Sequence, residues 1–483
     1  MSSSLLFSRG VQSRTKIPSS LFQLIRLEPL LSESARRILS LPCTASDMEL
    51  RHAVFSRMEE EAFRTDLEHF YSDLTALWQA SNKLKDTQNE CEQLLSFYTC
   101  ARRFITASES AETVARALDT QHHREFRAHC EKCRLLSERL KPHVERLALP
   151  MERIRTSLLT FQRSGVWLRD DENEKGIIQT VYDLAKSLDL TVEELPEQRC
   201  LAMPHELSES LMFLYPNEFE QIRHLAQEYA PLETKVFFDV REELNFYFSV
   251  YELVLRAEGH GIPHCLPDVK TSPEFTAKNV YDVTLLTADC ANIVPNDVDF
   301  QRAEPFSFLT GANGGGKTTY LRAVCTNLIL ASGGCPMFAT EGTVSEFSYI
   351  GAHFPANESE GSGRLYAEQE HADELLKLAK NGGFLFFNET FSGANDRKGV
   401  FLTLDCASHC VENGIFGLFV THFHEVVGHR YPILTTVVEA ENDNRRTYRI
   451  TKNPGTKSSY AEDILRKYRL SADTLHLRGG DEQ

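Results

Sequence analysis

With 483 residues, 42% of them apolar and 25% charged, the chain has the make-up of an ordinary globular protein of roughly two to four domains, which excludes disordered and fibrous classes. A net charge of −17 argues against a dedicated nucleic-acid binder, whose affinity comes largely from basic residues neutralising phosphates. Any nucleic-acid contact must then come from a local patch or an enclosing shape. No apolar run approaches the ~18 residues that span a bilayer, so no membrane partner and a cytoplasmic location are expected.

The first 26 residues are Ser-rich, carry Arg9, Arg14, Lys16 and Arg26, and contain no Asp or Glu. That pattern suits a transit peptide, but its short length and scattered charge favour an unstructured or strand-forming start. From about Asp47 to Leu140 the chain reads as long helices: Leu67, Phe70, Leu74 and Leu77 recur at helical spacing, and Leu94, Leu95 and Tyr98 continue the pattern. No Pro or Gly interrupts Glu49 to Leu140. A second helix is expected from Pro150 to Gln162 and a third from Leu232 to Ala257. The stretch between them is mixed and acidic, with nine acidic and four basic residues from Gly165 to Cys200.

The breaker-rich run Gly259-His-Gly-Ile-Pro-His-Cys-Leu-Pro267 marks a domain boundary. Beyond it short apolar strands alternate with helices and glycine-rich turns, the signature of α/β architecture with a partly parallel sheet. Strands are expected at Phe306–Leu309, Phe384–Phe387 and Gly417–Thr421, and the residues after about 470 read as a frayed tail. Twelve cysteines without paired spacing indicate reduced, mostly buried thiols. His129-Cys130-x-x-Cys133, with His122 and His123 upstream, lacks the second pair that a zinc site needs, so ordinary helix residues are expected there.

Chemistry concentrates in three places. Gly311-Ala-Asn-Gly-Gly-Gly-Lys317-Thr318 fits G-x-x-x-x-G-K-S/T at every fixed position, after an apolar strand and before a helix expected over Thr319–Ala331. In such a loop Gly311, Ala312, Asn313, Gly314, Gly315, Gly316, Lys317, Thr318 and Thr319 hold ATP: glycines let the backbone wrap phosphates, and successive N–H groups bind the anion. Lys317 reaches the terminal phosphates, and the Thr318 hydroxyl ligates Mg²⁺. The apolar run Gly383-Phe-Leu-Phe-Phe ends in Asn388-Glu389, a buried parallel strand whose tip meets the phosphates. Asn388 stands where most such enzymes place a Mg²⁺-organising Asp, and its amide oxygen brings no charge. Glu389 is placed to polarise the attacking water. A third strand ends in Thr421-His422-Phe-His-Glu425, where His422 is a candidate for contacting the γ-phosphate or the water, or else a plain surface residue.

In this order the motifs resemble the MutS mismatch-repair family. Val294-Pro-Asn-Asp297 followed by Thr310 to Arg322 looks like that family's entry to its nucleotide site, and Gly361-Ser-Gly-Arg-Leu-Tyr-Ala-Glu368 looks like its glycine-led helix. Asn388-Glu-Thr-Phe-Ser392 and Gly363-Arg-Leu365 resemble a MutS-related bacterial branch. The likeness is close from about Asn279 to Val438. It implies a multidomain fold, an α-helical lever and core followed by an α/β P-loop ATPase domain of ABC type. The expected divisions are an amino-terminal segment (1–46), the helical region (47–267), the ATPase (268–470) and a tail (471–483). It also implies a homodimer in which Ser362 and Gly363 face the partner's nucleotide, although the family's Ser aligns with Gly363. Helical material from about Asp47 leaves no room before it for a mismatch-reading domain with a Phe-x-Glu wedge, so mismatch recognition by that route is not expected. The implied function is an ATP-dependent, slowly hydrolysing DNA-binding protein of the mismatch-repair or recombination type, with ATP closing the dimer. The alternative, which suits the acidic charge, is an ATP-driven switch that binds protein partners without DNA recognition. A transporter ATPase is disfavoured, because no Leu-Ser-Gly-Gly motif is present.

Overall fold

The computed structural model describes residues 4–8, 16–87, 89–118, 122–163, 205–229, 232, 234–288, 293–355, 362–380, 382–427, 429–439 and 445–452. The acidic stretch 165–200 and the 471–483 tail lie outside the described residues. The chain forms two compact units, one built from residues 1–64, 118–125 and 242–483, the other from 65–117 and 126–241.

The first unit holds helices α1 (Ser19–Leu24), α2 (Glu33–Leu39) and α3 (Ala45–Met58) and two sheets. The smaller sheet consists of β1 (Asp268–Lys270), β2 (Glu274–Val280), β3 (Asn296–Gln301) and β5 (Glu341–Ser345), in the order β1-β5-β2-β3. The larger uses β4 (Phe306–Thr310), β6 (Ile350–His353), β7 (Phe384–Asn388), β8 (Phe416–Val420), β9 (Ile433–Glu439) and β10 (Arg445–Lys452), in the order β10-β9-β4-β8-β7-β6. All its pairings are parallel except β9 with β10.

The expected strands are present, the last displaced by one residue. Their continuous apolar sequences follow from burial on both faces, which parallel strands share. On one face Phe306, Phe308, Leu385, Phe387 and Phe419 join a core with Ala372, Leu375, Cys406 and Ala407. These come from α11 (Ser362–Leu378) and α12 (Asp396–Glu412). On the other face lies α10 (Lys317–Ser332), which touches β2 and β5 as well as β7 and β8 and is buried almost throughout.

Helix α12 contains Gly399, where an added Cβ would stand 2.1 Å from Phe423 Cζ. Gly→Ala in a helix interior ordinarily stabilises by ~1 kcal/mol. Here the buried ring reverses the sign, and Gly399→Ala is expected to destabilise by about 1–3 kcal/mol through overpacking. Urea denaturation checks this, and a midpoint at or above the parent's refutes it.

The start of the chain differs from expectation. Among the described residues it is neither strand nor loose: Leu5, Leu6, Ile17, Leu21, Phe22 and Ile25 are all buried. Backbone groups that a loose start would leave in water are taken up by side chains. Tyr247 Oη donates to Leu5 O at 2.7 Å, the Leu5 N–H donates to Glu243 at 2.6 Å, and the Ser8 N–H donates to Asp47 at 2.7 Å. Arg51, wholly buried, donates to Leu6 O and Gly333 O with its guanidinium over the Phe7 and Phe246 rings. Burial beside it brings the Lys16 ammonium down to about 8.

The second unit is helical. It includes most of α4 (Glu61–Asp86), α5 (Glu90–Ala117), α6 (Arg124–Arg163), α7 (His205–Leu214), α8 (Pro216–Tyr229) and the first part of α9 (Lys235–Glu258). Pro150 does not begin a helix; it lies inside α6, as does Pro142. An interior proline forfeits a backbone bond, but the buried stripe Leu140, Val144, Leu147 and Ile154 carries the helix through it. Phe237 gathers Phe70, Phe104 and the His129 ring within 6.3 Å. His129 and Cys133 lie one turn apart on α6, with Cys133 Sγ 3.3 Å from His129 Nε2. Among the described residues the grouping of three metal-ligating side chains lies elsewhere, at Glu59, Glu258 and His264. No helix among them is long and apolar enough to cross a membrane.

Candidate functional site

The carboxyl ends of β4, β7 and β8 stand side by side: Leu309 pairs with Val420, and Val420 with Asn388. A parallel sheet places the start of each following turn at that edge, so the three sequence motifs converge there. Residues 311–316 turn from β4 into α10. Gly311, Gly314 and Gly316 adopt φ of 128°, 72° and 94°, values that a side chain disfavours. A Cβ on Gly311 would lie 2.2 Å from Thr436 Oγ1 on β9, so there the glycine also serves close packing. Gly316 is the N-cap of α10 and offers no side-chain cap to the first-turn N–H groups.

Lys317 folds back over this turn. Its ammonium donates to Gly311 O at 2.8 Å and to Ala312 O and Asn313 Oδ1 at 3.3 Å, and the side chain is buried. Thr318 Oγ1 donates to Asn388 Oδ1 at 3.2 Å, which joins the two residues singled out for a metal. Two neutral oxygens at this separation suit a hard cation such as Mg²⁺. Thr319 follows on the same first turn.

Glu389 leaves β7 with φ 52°, and Phe391 has φ 69°. Left-handed backbone at such residues costs about 1–3 kcal/mol each and persists where the surroundings hold it. The Glu389 N–H donates to Val420 O at 2.8 Å, and Thr390 Oγ1 lies 2.7 Å from His353 Nδ1 at the tip of β6. The Phe391 N–H donates to Glu368 Oε2 of α11 at 2.9 Å. His422 follows β8 as an exposed residue, its ring centroid 4.3 Å from that of Phe423. Ser362 and Gly363 form the first turn of α11, and their side-chain surroundings lie outside the described residues.

Sequence reasoning missed several neighbours. Thr436 covers Gly311 and Gly315, and its buried hydroxyl has no hydrogen-bond partner among the described residues. Tyr448 of β10 lies 3.3 Å from a Cβ built on Gly316. The Asn296 side chain holds that stretch, donating to Tyr448 O and accepting from the Ile450 N–H. Thr436 and Tyr448 come from strands far along the chain, and no local signal marks them.

The family description MutS domain V matches residues 307–461. Over 142 residues the chain is 32% identical to DNA mismatch repair protein Msh2 of Dictyostelium discoideum, covering 29% of this chain and 15% of that protein. Residues 307–461 are thus similar to the MutS family. The chain also matches DNA mismatch repair protein MutS of Streptococcus uberis, 22% identical over 260 residues, or 49% of this chain and 31% of that protein. Endonuclease MutS2 of Staphylococcus carnosus is 26% identical over 228 residues, or 44% and 29%. The chain spans less than a third of the length of each of these relatives.

Proposed function

We propose that this chain is a slow P-loop ATPase in which ATP binding closes a homodimer that acts on DNA. The observation that carries the reading is the Lys317 ammonium gathered onto the 311–316 turn at the uncapped start of α10. That is the arrangement in which a triphosphate takes the place of the loop's own oxygens as the partner of the lysine. In this reading the ATPase domain runs over 268–470, the helical lever and core over 47–267, and the chain works in the cytoplasm.

The turn's N–H groups and the first turn of α10, through Thr319, hold the phosphates, and Lys317 neutralises the terminal ones. Thr318 and Asn388 hold Mg²⁺, which when bound neutralises phosphate charge. Glu389 orients the attacking water and takes its proton, and His422 approaches the γ-phosphate from the tip of β8. Ser362 and Gly363 complete the partner's site across the dimer.

The relatives' names speak of DNA mismatch repair. On that likeness branched or mismatched DNA is the partner. The net charge of −17 favours the second reading, a switch that binds proteins. A binding panel of homoduplex, mismatched and four-way-junction DNA, with and without ATP, separates them. DNA binding will fall steeply with added salt, because counterions are released from phosphates. Absence of retention on every DNA at low salt leaves the protein-binding switch.

Asn388 brings an oxygen but no charge, so weak Mg²⁺ affinity and low basal turnover are expected. Asn388→Asp should reduce the Mg²⁺ concentration for half-maximal turnover. A variant needing as much Mg²⁺ as the parent, or more, refutes the metal role of this position. Repulsion between the new carboxylate and Glu389 would then account for it.

A further inference from the structure

We propose that Glu368 is a positioning residue for Glu389, tying the helix that begins at Ser362 and Gly363 to the backbone that aims the water-orienting carboxylate. The inference rests on the role proposed above for Glu389.

Glu389, Thr390 and Phe391 form a turn with left-handed backbone at its first and third residues. Nothing in a Glu or Phe side chain favours that conformation, so its neighbours must hold it. Three do. Val420 O holds Glu389 from β8, His353 holds Thr390 from β6, and Glu368 holds Phe391 from α11. The Glu368 bond differs from the others in kind. Its acceptor is a side-chain carboxyl oxygen buried to 4% exposure, neither a backbone carbonyl nor a ring nitrogen. It also comes from a helix rather than from the sheet that carries the turn.

Glu368 lies six residues after Ser362 on α11, so a rigid helix links the two. Leu365, between them, packs against the cluster that contains Phe391. A shift of the first turn of α11 is therefore transmitted to the Phe391 N–H, and through two peptide units to Glu389. If the first turn of α11 meets the partner's nucleotide, Glu368 lets occupancy of one site set the aim of the carboxylate in the other.

The test compares Glu368→Met, which keeps the volume and removes the acceptor, with Glu368→Gln, which keeps a neutral oxygen. In the full chain, backbone amide exchange over residues 389–392 is expected to rise at least about tenfold in Glu368→Met and to be intermediate in Glu368→Gln, with β4 and β8 as protected as in the parent. Steady-state turnover should fall about 10²-fold in kcat with ATP KM within about twofold, because misplacement of a reacting group acts on the chemical step. Glu368→Gln should recover most of it. Unchanged exchange at 389–392, or a raised KM with intact kcat, overturns the proposal. Should Glu368→Met not fold, exchange at the Phe391 amide in Glu368→Gln decides, and a rate equal to the parent's overturns it. A parent that hydrolyses no ATP defeats the proposed function instead, and the exchange result still stands or falls alone.

Discussion

Lys317→Ala will abolish measurable ATP turnover and weaken nucleotide binding by about 10–100-fold, while the helical unit stays folded. The magnitude follows from removing charge-assisted hydrogen bonds worth about 1.5–3 kcal/mol from a phosphate site. The ammonium is the charged group that reaches Gly311, Ala312 and Asn313 together, and the remaining N–H donors of the turn carry no net charge. Loss of the lysine leaves those three oxygens to water, which a turn at the protein surface can supply, so little stability is lost with it. Turnover assays and fluorescent-nucleotide titration read the two effects separately, and circular dichroism confirms the helices. Hydrolysis at the parent rate in the purified variant would remove the P-loop assignment and the proposed function with it.

Glu389→Gln has the opposite profile: ATP binds as before, and hydrolysis slows by about 10²–10⁴-fold, the usual cost of losing a positioned base. Gln matches Glu in shape, and the left-handed turn at 389–391 is held by Val420, His353 and Glu368 rather than by the Glu389 carboxylate itself. The change therefore removes the base and leaves its setting. With hydrolysis blocked, the ATP-bound dimer should accumulate. Size-exclusion chromatography with light scattering will show more dimer with ATP and Mg²⁺ than without. Identical profiles in both conditions count against ATP-driven closure, whereas a turnover rate equal to the parent's counts against Glu389 as the base.

The place of the candidate site was legible because its motifs are local in sequence. A strand, a glycine-rich turn and a helix are consecutive in Phe306 to Ser332, and each is dictated by residues within a few positions: continuous apolar side chains, glycines where φ is positive, then a helical stripe. Asn388-Glu389 and Thr421-His422 were found for the same reason, since a buried parallel strand announces its own carboxyl end. What the sequence by itself did not decide is everything set by partners distant along the chain. Thr436 and Tyr448 close over the glycines from β9 and β10, and Glu368 and His353 pin the turn after Glu389. A Thr or a Tyr at these positions has no periodic or compositional mark, because its role exists only once the sheet order β10-β9-β4-β8-β7-β6 sets it beside the site. The helical half divides in the same way. Apolar spacing located the helices before Leu140 and the one from Lys235, but missed α7 and α8 in a stretch read as mixed. Helix α6 runs through Pro142 and Pro150 because side-chain burial along one stripe outweighs a lost backbone bond. At the start of the chain Ser, Arg and Lys suggested a loose end, and tertiary burial overruled them. Carbonyls of Leu5 and Leu6 found donors in Tyr247 and Arg51, and composition alone carries no information about such pairings.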